Sequence, residues 1–168
     1  MGDFNDIAIN TYQYTNGQNQ TTVMYNQHWK VDDDKILTFG AGIDTNWQKS
    51  GFIADGKFGI KLAPHTGLQL RVRTRHGEDY NTTQARLAIS EGYRFKEIGT
   101  SIYVTPYGAL NIDYNKQTVK PNLGVMFGVT KKIGNNIIVG VEGQRYNLQD
   151  INEQDGNWSI NGTLVVKI

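Results

Sequence analysis

Three arginines at alternate positions, Arg71, Arg73 and Arg75, are the residues of this sequence whose spacing most clearly suggests chemistry. Alternate residues of a β-strand project from the same face, so the three guanidinium groups would form one row of positive charge. Arginine stays charged at every ordinary pH, and rings of fixed positive charge in water-filled passages select anions. We therefore interpret this row as part of the lining of a water-filled passage that attracts anions.

Further charged residues fall on the same polar face of the strands predicted below. The candidate lining of the passage consists of the cations Lys57, Lys61, Arg71, Arg73, Arg75, Arg86 and Arg94 and the anions Asp44, Asp55, Asp113 and Glu142. The excess of cations predicts a net attraction for anions. A second interpretation stays open, in which the arginines and carboxylates form a structural network that fills the interior and passes nothing.

The elements that position these residues are predicted to be β-strands, because apolar and polar residues alternate along almost the whole chain. Ten strands are predicted, at residues 6–15, 21–31, 36–48, 51–63, 67–76, 82–95, 100–114, 121–131, 136–147 and 157–168. Ten consecutive strands without helices are typical of an all-β fold in which an up-and-down antiparallel sheet closes into a barrel. The whole chain, 1–168, is predicted to be one domain.

Composition excludes several function classes. A net charge of +1 gives no bulk attraction to nucleic acid, and the absence of cysteine excludes disulfides and thiolate chemistry. No phosphate loop, metal-ligand cluster or nucleotide fingerprint occurs, so we predict no cofactor and no bound metal. The sequence begins with Met1 and Gly2 without a secretion signal, which we interpret as the start of a mature chain.

Aromatic and glycine residues predict which face of the barrel points inward. Aromatic residues gather near the strand ends of the apolar face, with Tyr14, Trp47, Phe52, Tyr114 and Trp158 toward one rim and Trp29, Phe39, Tyr93 and Phe95 toward the other. Two aromatic girdles around an aliphatic band are typical of a surface that faces lipid. The polar face carries seven glycines, which make room for long side chains in a narrow interior: Gly40, Gly42, Gly59, Gly92, Gly124, Gly128 and Gly140. The prediction is a transmembrane barrel with a polar lumen.

The connections are predicted to differ between the two rims. Compact turns follow the even strands, whereas longer polar loops follow most odd strands, at Thr15–Gln20, Gly77–Asn81, Asn115–Lys120 and Leu148–Gly156. This asymmetry is typical of bacterial outer-membrane barrels.

Two stretches, Leu68–Arg73 and Ala85–Tyr93, are similar to a hairpin of the narrow porins for acidic oligosaccharides and sialic acid, a family of bacterial outer-membrane β-barrels. The resemblance implies a passive channel in the bacterial outer membrane, in contact with a lipid bilayer or detergent. It also implies that the arginine-lined lumen favours small anionic solutes. No oligomeric state is predicted.

Two other functions fit the pattern. One is a plugged structural or engineered membrane barrel without transport, and the other is a soluble up-and-down barrel that carries an apolar ligand. Catalysis is not predicted, because His76, which lies beside Glu78 and Asp79, has no nucleophile at a suitable spacing. The acidic turn Asp32–Asp34 could attract a divalent cation, although an acidic turn is more often only solvated.

Glu91 departs from the pattern, because it falls on the apolar face of its strand. We expect it to lie opposite Val104, beside a local bulge at Pro106, and to turn inward toward an arginine through a slip in register. The alternative is a functional defect in the outer wall, such as a subunit contact.

Overall fold

The computed structural model describes residues 3–14, 17–45, 49–78, 80–148 and 158–168. Its strands are β1 (Phe4–Tyr14), β2 (Asn19–Lys30), β3 (Lys35–Thr45), β4 (Ser50–Lys61), β5 (Thr66–Gly77), β6 (Asn81–Phe95), β7 (Thr100–Asp113), β8 (Thr118–Ile133), β9 (Ile137–Arg145) and β10 (Trp158–Lys167). In the described ranges no helix has the length and apolarity needed to cross a membrane. The strand ends predicted at residues 15, 48 and 157 lie outside the described residues.

The ten strands form one closed antiparallel sheet in which each strand pairs with its neighbours in sequence. Closure is made by β1 and β10, whose ladder runs from Asp6 opposite Lys167 to Tyr14 opposite Ser159. The predicted up-and-down barrel of ten strands is therefore confirmed, including the pairing of the first strand with the last.

The two faces of the sheet carry the predicted chemistry. Leu70, Leu87 and Phe127 are about half exposed on the outer face, and the alternation of each strand places Leu37, Phe58 and Val139 on that face as well. Asp55, Arg73 and Arg86, by contrast, are buried on the inner face. The barrel is thus apolar outside and polar inside, as predicted.

The register tilts the strands strongly around the barrel axis. Starting from Asp6, successive ladder partners are Asn26, Gly40, Asp55, Arg73, Gln84, Asn111 and Lys120. This row begins near the end of the barrel that carries connections 31–34, 62–65, 96–99 and 134–136, which we call the turn rim. The row of ladder partners ends near the opposite end of the barrel, which we call the loop rim. The loop rim carries the connections 15–18, 46–49, 78–80, 114–117 and 146–157. Strand tilt of this kind is what allows a sheet to close into a barrel.

Glycines on the inner face of β8 accommodate tyrosine rings from β7. Tyr103 lies opposite Gly128 and Tyr107 opposite Gly124, and a Cβ added at either glycine would collide with the facing tyrosine ring. The flat rings therefore lie across β8 and reach toward β9. This confirms the prediction that lumen glycines make room for long side chains from neighbouring strands.

The predicted contrast between long loops and short turns is wrong for most connections. The connections at residues 78–80 and 114–117 are as short as those of the turn rim. The connection between β9 and β10, residues 146–157, is longer than the others. In the case of 114–117, the left-handed backbone of Gln117 (φ 54°) closes a tight turn. Consequently Thr118 and Lys120 join the ladder opposite Asp113 and Asn111 instead of forming a loop.

The girdle prediction is correct for most of its residues. Phe52, Tyr114 and Trp158 near the loop rim and Phe39, Tyr93 and Phe95 near the turn rim are exposed on the outside. Tyr14 is the exception, because the alternation of β1 turns it into the lumen, where its hydroxyl donates to Gln20 Oε1 at 2.9 Å. Trp47 lies outside the described residues.

The predicted inward slip of Glu91 is wrong. Ala88 pairs with Tyr107 and Glu91 pairs with Val104, so the register between β6 and β7 is the same on both sides of Pro106 and there is no bulge. Pro106 interrupts only the hydrogen bonds toward β6, since it has no N–H to donate. Glu91 stays on the outer face near the turn rim, where its Oε2 accepts from the Thr66 hydroxyl at 2.7 Å. At this level the carboxylate avoids the centre of the apolar band.

A charge placed in the middle of the outer face tests the orientation of the sheet. Leu70→Arg is expected to lower the free energy of unfolding by about 2–4 kcal/mol, because a guanidinium group would face the hydrocarbon core. The measurement is equilibrium unfolding by urea in lipid bilayers.

Gln69→Arg is the matched control, since Gln69 is the adjacent inward residue and lines the lumen. It should cost less, even though Arg86 Nη2 lies 3.3 Å from the Gln69 side chain. Equal losses at the two positions would contradict a lipid-facing outer surface.

Candidate pore lining

The described residues line a larger and a smaller cavity inside the barrel. The larger has a volume of about 880 Å³ and extends from Asp113 and Lys116 at the loop rim to His28 near the turn rim. The smaller, of about 530 Å³, opens at the turn rim around residues 32–35 and Lys61. Gln69 and Ser90 line both cavities and therefore mark the level at which one gives way to the other.

A carboxylate in the middle of the lumen is shared by several cations. The ladder between β4 and β5 places Asp55 opposite Arg73 and Lys57 opposite Arg71. Arg71 Nε donates to Asp55 Oδ1 at 2.8 Å, Arg73 Nη2 donates to Asp55 Oδ2 at 2.8 Å, and Lys57 Nζ lies 3.7 Å from the same oxygen. The Asp55 side chain is fully buried by these contacts. We call Lys57, Arg71, Arg73 and the adjacent Arg86 the central basic cluster.

The third arginine of the row has a carboxylate of its own. Arg75 Nε lies 3.3 Å from Asp44 Oδ2 on β3, and the Gln20 amide donates to the same oxygen at 2.9 Å. This pair is electrically balanced and lies closer to the loop rim than Asp55 does. Only part of the row predicted from sequence therefore presents excess positive charge to the lumen.

Arg86 on β6 is held by neutral groups. Its Nη1 lies 3.4 Å from Met126 Sδ and its Nη2 lies 3.3 Å from Gln69 Oε1. The guanidinium carbon lies 5.3 Å from the centre of the Tyr107 ring, a distance at which a cation is attracted to the face of the ring. Within the described part of the chain, no carboxylate oxygen forms an ion pair with Arg86.

The acidic side of the lumen is formed by β9. Glu142 Oε2 accepts from the Tyr103 hydroxyl at 2.8 Å, and the Gln144 amide donates to the Tyr107 hydroxyl at 2.5 Å. Each tyrosine thus connects β7 to β9 across a glycine of β8. The hydrogen bonds hold Glu142 at the wall of the larger cavity.

Three of the predicted lining residues lie at the rims. Asp113 is at the loop rim, where its carboxylate accepts from the backbone N–H of Asn115 at 3.1 Å. Lys61 is exposed at the end of β4 and lines the smaller cavity. Arg94 is exposed near the end of β6 and belongs to the lining of neither of these two cavities.

Sequence reasoning missed a polar cluster that joins β1, β2 and β3. His28 Nε2 lies 2.8 Å from Asp6 Oδ2, and its Nδ1 lies 2.8 Å from the Thr38 hydroxyl. Asn26 donates to the other Asp6 oxygen at 2.7 Å, and the Phe4 ring stacks on the imidazole. The strand alternation already contained a signal, because Asp6 and His28 occupy inward positions. Their proximity follows from the register between β1 and β2.

Two of the three aspartates in the acidic turn of residues 32–34 form ion pairs with neighbouring lysines. Lys35 Nζ lies 2.5 Å from Asp32 and Lys30 Nζ lies 2.5 Å from Asp33. The hydrogen bond from Lys35 is the main reason that the pKa of Asp32 lies below its usual value. In the part of the chain that the structure describes, no group of three or more metal-ligating side chains is placed to hold a metal.

Solved porin structures share this fold over almost their whole length. A KdgM porin aligns with a TM-score of 0.52 at 11% identity, covering 97% of this chain and 99% of its own. A NanC porin aligns with a TM-score of 0.52 at 10% identity, covering 98% and 100%. A KdgM porin in complex with disordered oligogalacturonate gives a TM-score of 0.51 at 10% identity, covering 96% and 97%.

The sequence itself matches no protein-family model and no curated protein. At identities this low, the structural likeness establishes the fold alone. The resemblance to the narrow porins is therefore confirmed as a resemblance of architecture: the chain is a transmembrane up-and-down β-barrel with a porin fold.

Proposed function

We propose that the protein is a narrow passive channel of the bacterial outer membrane that prefers small anionic solutes, and not an enzyme. The observation that carries the proposal is the central basic cluster, in which Lys57, Arg71 and Arg73 share the single carboxylate of Asp55 and Arg86 is held by Met126 and Gln69. This excess of positive charge lies beside a cavity that runs through most of the barrel. Fixed cations at such a place favour anions over cations.

The architecture supports the proposal. Both KdgM and NanC are porins, and one KdgM structure is a complex with oligogalacturonate, an anionic oligosaccharide. We extend the anionic class of solute to this chain because its own lumen carries the matching charge. The outer face, in turn, needs a lipid bilayer or detergent around its apolar band.

The distribution of charge refines the proposal. Arg75 is balanced by Asp44, so the excess charge is concentrated on β4, β5 and β6, around Asp55. On the opposite side, β9 contributes Glu142 and β1 contributes Asp6, each held by hydrogen bonds. We infer that permeating anions pass along the β4–β6 side of the lumen.

A plugged barrel is the second candidate function. It is favoured by the direct contacts between Arg71, Arg73 and Asp55, which bridge neighbouring strands and occupy the middle of the lumen. Barrels of eight strands are filled by side chains, whereas those of sixteen or more leave an aqueous channel. Ten strands lie near the closed end of this range.

Reversal potentials in a planar bilayer test the channel directly. The protein is expected to pass a small current and to prefer anions, and this preference should weaken at high salt. The reason is that the Debye length falls from ~10 Å at 0.1 M to ~3 Å at 1 M salt. A complete absence of current would support the plugged barrel, and a cation preference would contradict the proposed role of the basic cluster.

Substitution of the arginine row tests which residues set the preference. Arg71→Ser, Arg73→Ser and Arg75→Ser in one chain should lower the anion preference toward neutrality, because Asp55 and Asp44 then lose their guanidinium partners. The conductance should rise, since three long side chains leave the lumen. Lys131→Gln, which removes one charge from the exposed outer face near the turn rim, is the control and should leave the reversal potential unchanged.

Removal of the shared carboxylate should act in the opposite direction. Asp55→Asn leaves Arg71 and Arg73 without an anionic partner, so the anion preference should increase. The free energy of unfolding should fall by up to about 3 kcal/mol, because unpaired charges remain in a partly buried site. Asp113→Asn at the loop rim should change both quantities less. A lower anion preference in Asp55→Asn would contradict the proposed field.

A further inference from the structure

Two arginines of the central basic cluster face each other across one ladder. Arg71 on β5 is the direct partner of Arg86 on β6, and both side chains point into the lumen. Like charges at directly opposed positions of an antiparallel pair destabilise it. Arg71 is compensated by Asp55, whereas Arg86 has no ion-pair partner within the described part of the chain. Of the two arginines, Arg86 is therefore the one whose charge meets no carboxylate of the described residues in direct contact.

Arg86 is buried, and the carboxylate of Glu142 acts on its charge without forming an ion pair with it. Its side chain contacts Met126 and Gln69, and its residue is only 8% exposed. Its Nε is buried and finds no hydrogen-bond acceptor among the described residues. A buried guanidinium N–H without an acceptor is costly, since charged groups leave water only when they are paired and hydrogen-bonded. An anion in the larger cavity, which Arg86 lines, would supply the opposite charge that no carboxylate of the described residues supplies in direct contact.

The surroundings of Arg86 strengthen the attraction for a negative charge. Ala88, Tyr107, Ala109 and Met126 form a buried apolar cluster next to the guanidinium group. Electrostatic attraction is stronger where the local dielectric constant is low. Since this environment is apolar and crowded, it suits a small, weakly hydrated anion that can lose part of its water shell.

We propose that Arg86, together with Arg71, forms a binding site for one small monovalent anion of the halide class. The bound ion accepts from the Arg86 guanidinium group where this group lines the larger cavity, on the side of the ladder that also carries Arg71. The inference rests on the proposed function, which brings water and anions into this cavity. It makes Arg86 the residue that determines anion selectivity, whereas the Arg75–Asp44 pair contributes little.

Bromide is the probe for the site. Crystals of the detergent-folded protein grown in sodium bromide should give one anomalous-scattering peak within hydrogen-bond distance of the Arg86 guanidinium group, measured at the bromine absorption edge. Arg86→Gln should remove this peak. Arg145→Gln is the matched control, because Arg145 lies on the outer face against the Trp158 ring, and its crystals should retain the peak. Absence of the peak from the unaltered protein would overturn the site.

Reversal potentials in bromide separate the site from the channel. Arg86→Gln should move the reversal potential toward neutrality more than Arg75→Gln does, and Arg145→Gln should not move it. An anomalous peak in a barrel without current would contradict the proposed channel and leave the site standing. Conversely, an anion-selective current that Arg86→Gln does not alter, with no peak at Arg86, would contradict the site and leave the channel standing.

Discussion

Closure of the backbone ladder between β1 and β10 is the constraint on which the rest of the structure depends. In hydrocarbon, each N–H or C=O group without a partner costs several kcal/mol, so a sheet can span a membrane only if it has no free edge. The pairing of Asp6 through Tyr14 with residues of β10 removes that edge. Once the sheet is closed, alternate residues of every strand must face either lipid or one another. The polar half of each strand is therefore forced into a shared interior.

That interior must satisfy its own charges, which explains the arrangement around Asp55. A fully buried carboxylate is tolerated because two guanidinium groups donate to it and an ammonium group lies nearby. The tyrosines of β7 satisfy polar side chains of β9 in a similar way. Tyr103 and Tyr107 lie across glycines and reach Glu142 and Gln144, so a side chain of β7 satisfies a polar group two strands away. The lumen is thus a connected polar network next to the remaining space.

Much of this fold follows from the period of the sequence. Alternation alone identified ten strands and put Arg71, Arg73 and Arg86 on the inner face, because a period of two is unaffected by errors of a few residues at the strand ends. Properties that depend on register were predicted less well. The short turn at Gln117 lengthens β8 through a backbone conformation that composition does not reveal.

Single residues were harder to place than faces. Glu91 was expected to slip inward, but the structure keeps it on the outer face, where the turn rim supplies Thr66 as a donor at that level. Pro106 was expected to form a bulge, yet a proline can remain in register when its missing N–H affects only one of its two ladders. Asp6 and His28 were overlooked because a contact between strands depends on the exact register, which the alternation within each strand does not fix.

The position of each charge matters more for selectivity than the number of charges. Counting the lumen residues gives an excess of cations, but Arg75 and Asp44 cancel locally, and three cations around Asp55 share a single negative charge. The field that a permeating ion meets comes from groups without a close partner, because the fields of two opposite charges a few ångströms apart largely cancel beyond that distance. By this reasoning Arg86 has the greatest influence among the lumen arginines, although it lies outside the row that the sequence makes conspicuous. Most charged side chains of a narrow lumen can therefore form ion pairs that stabilise the barrel. The lumen is still selective if at least one buried charge has no ion-pair partner.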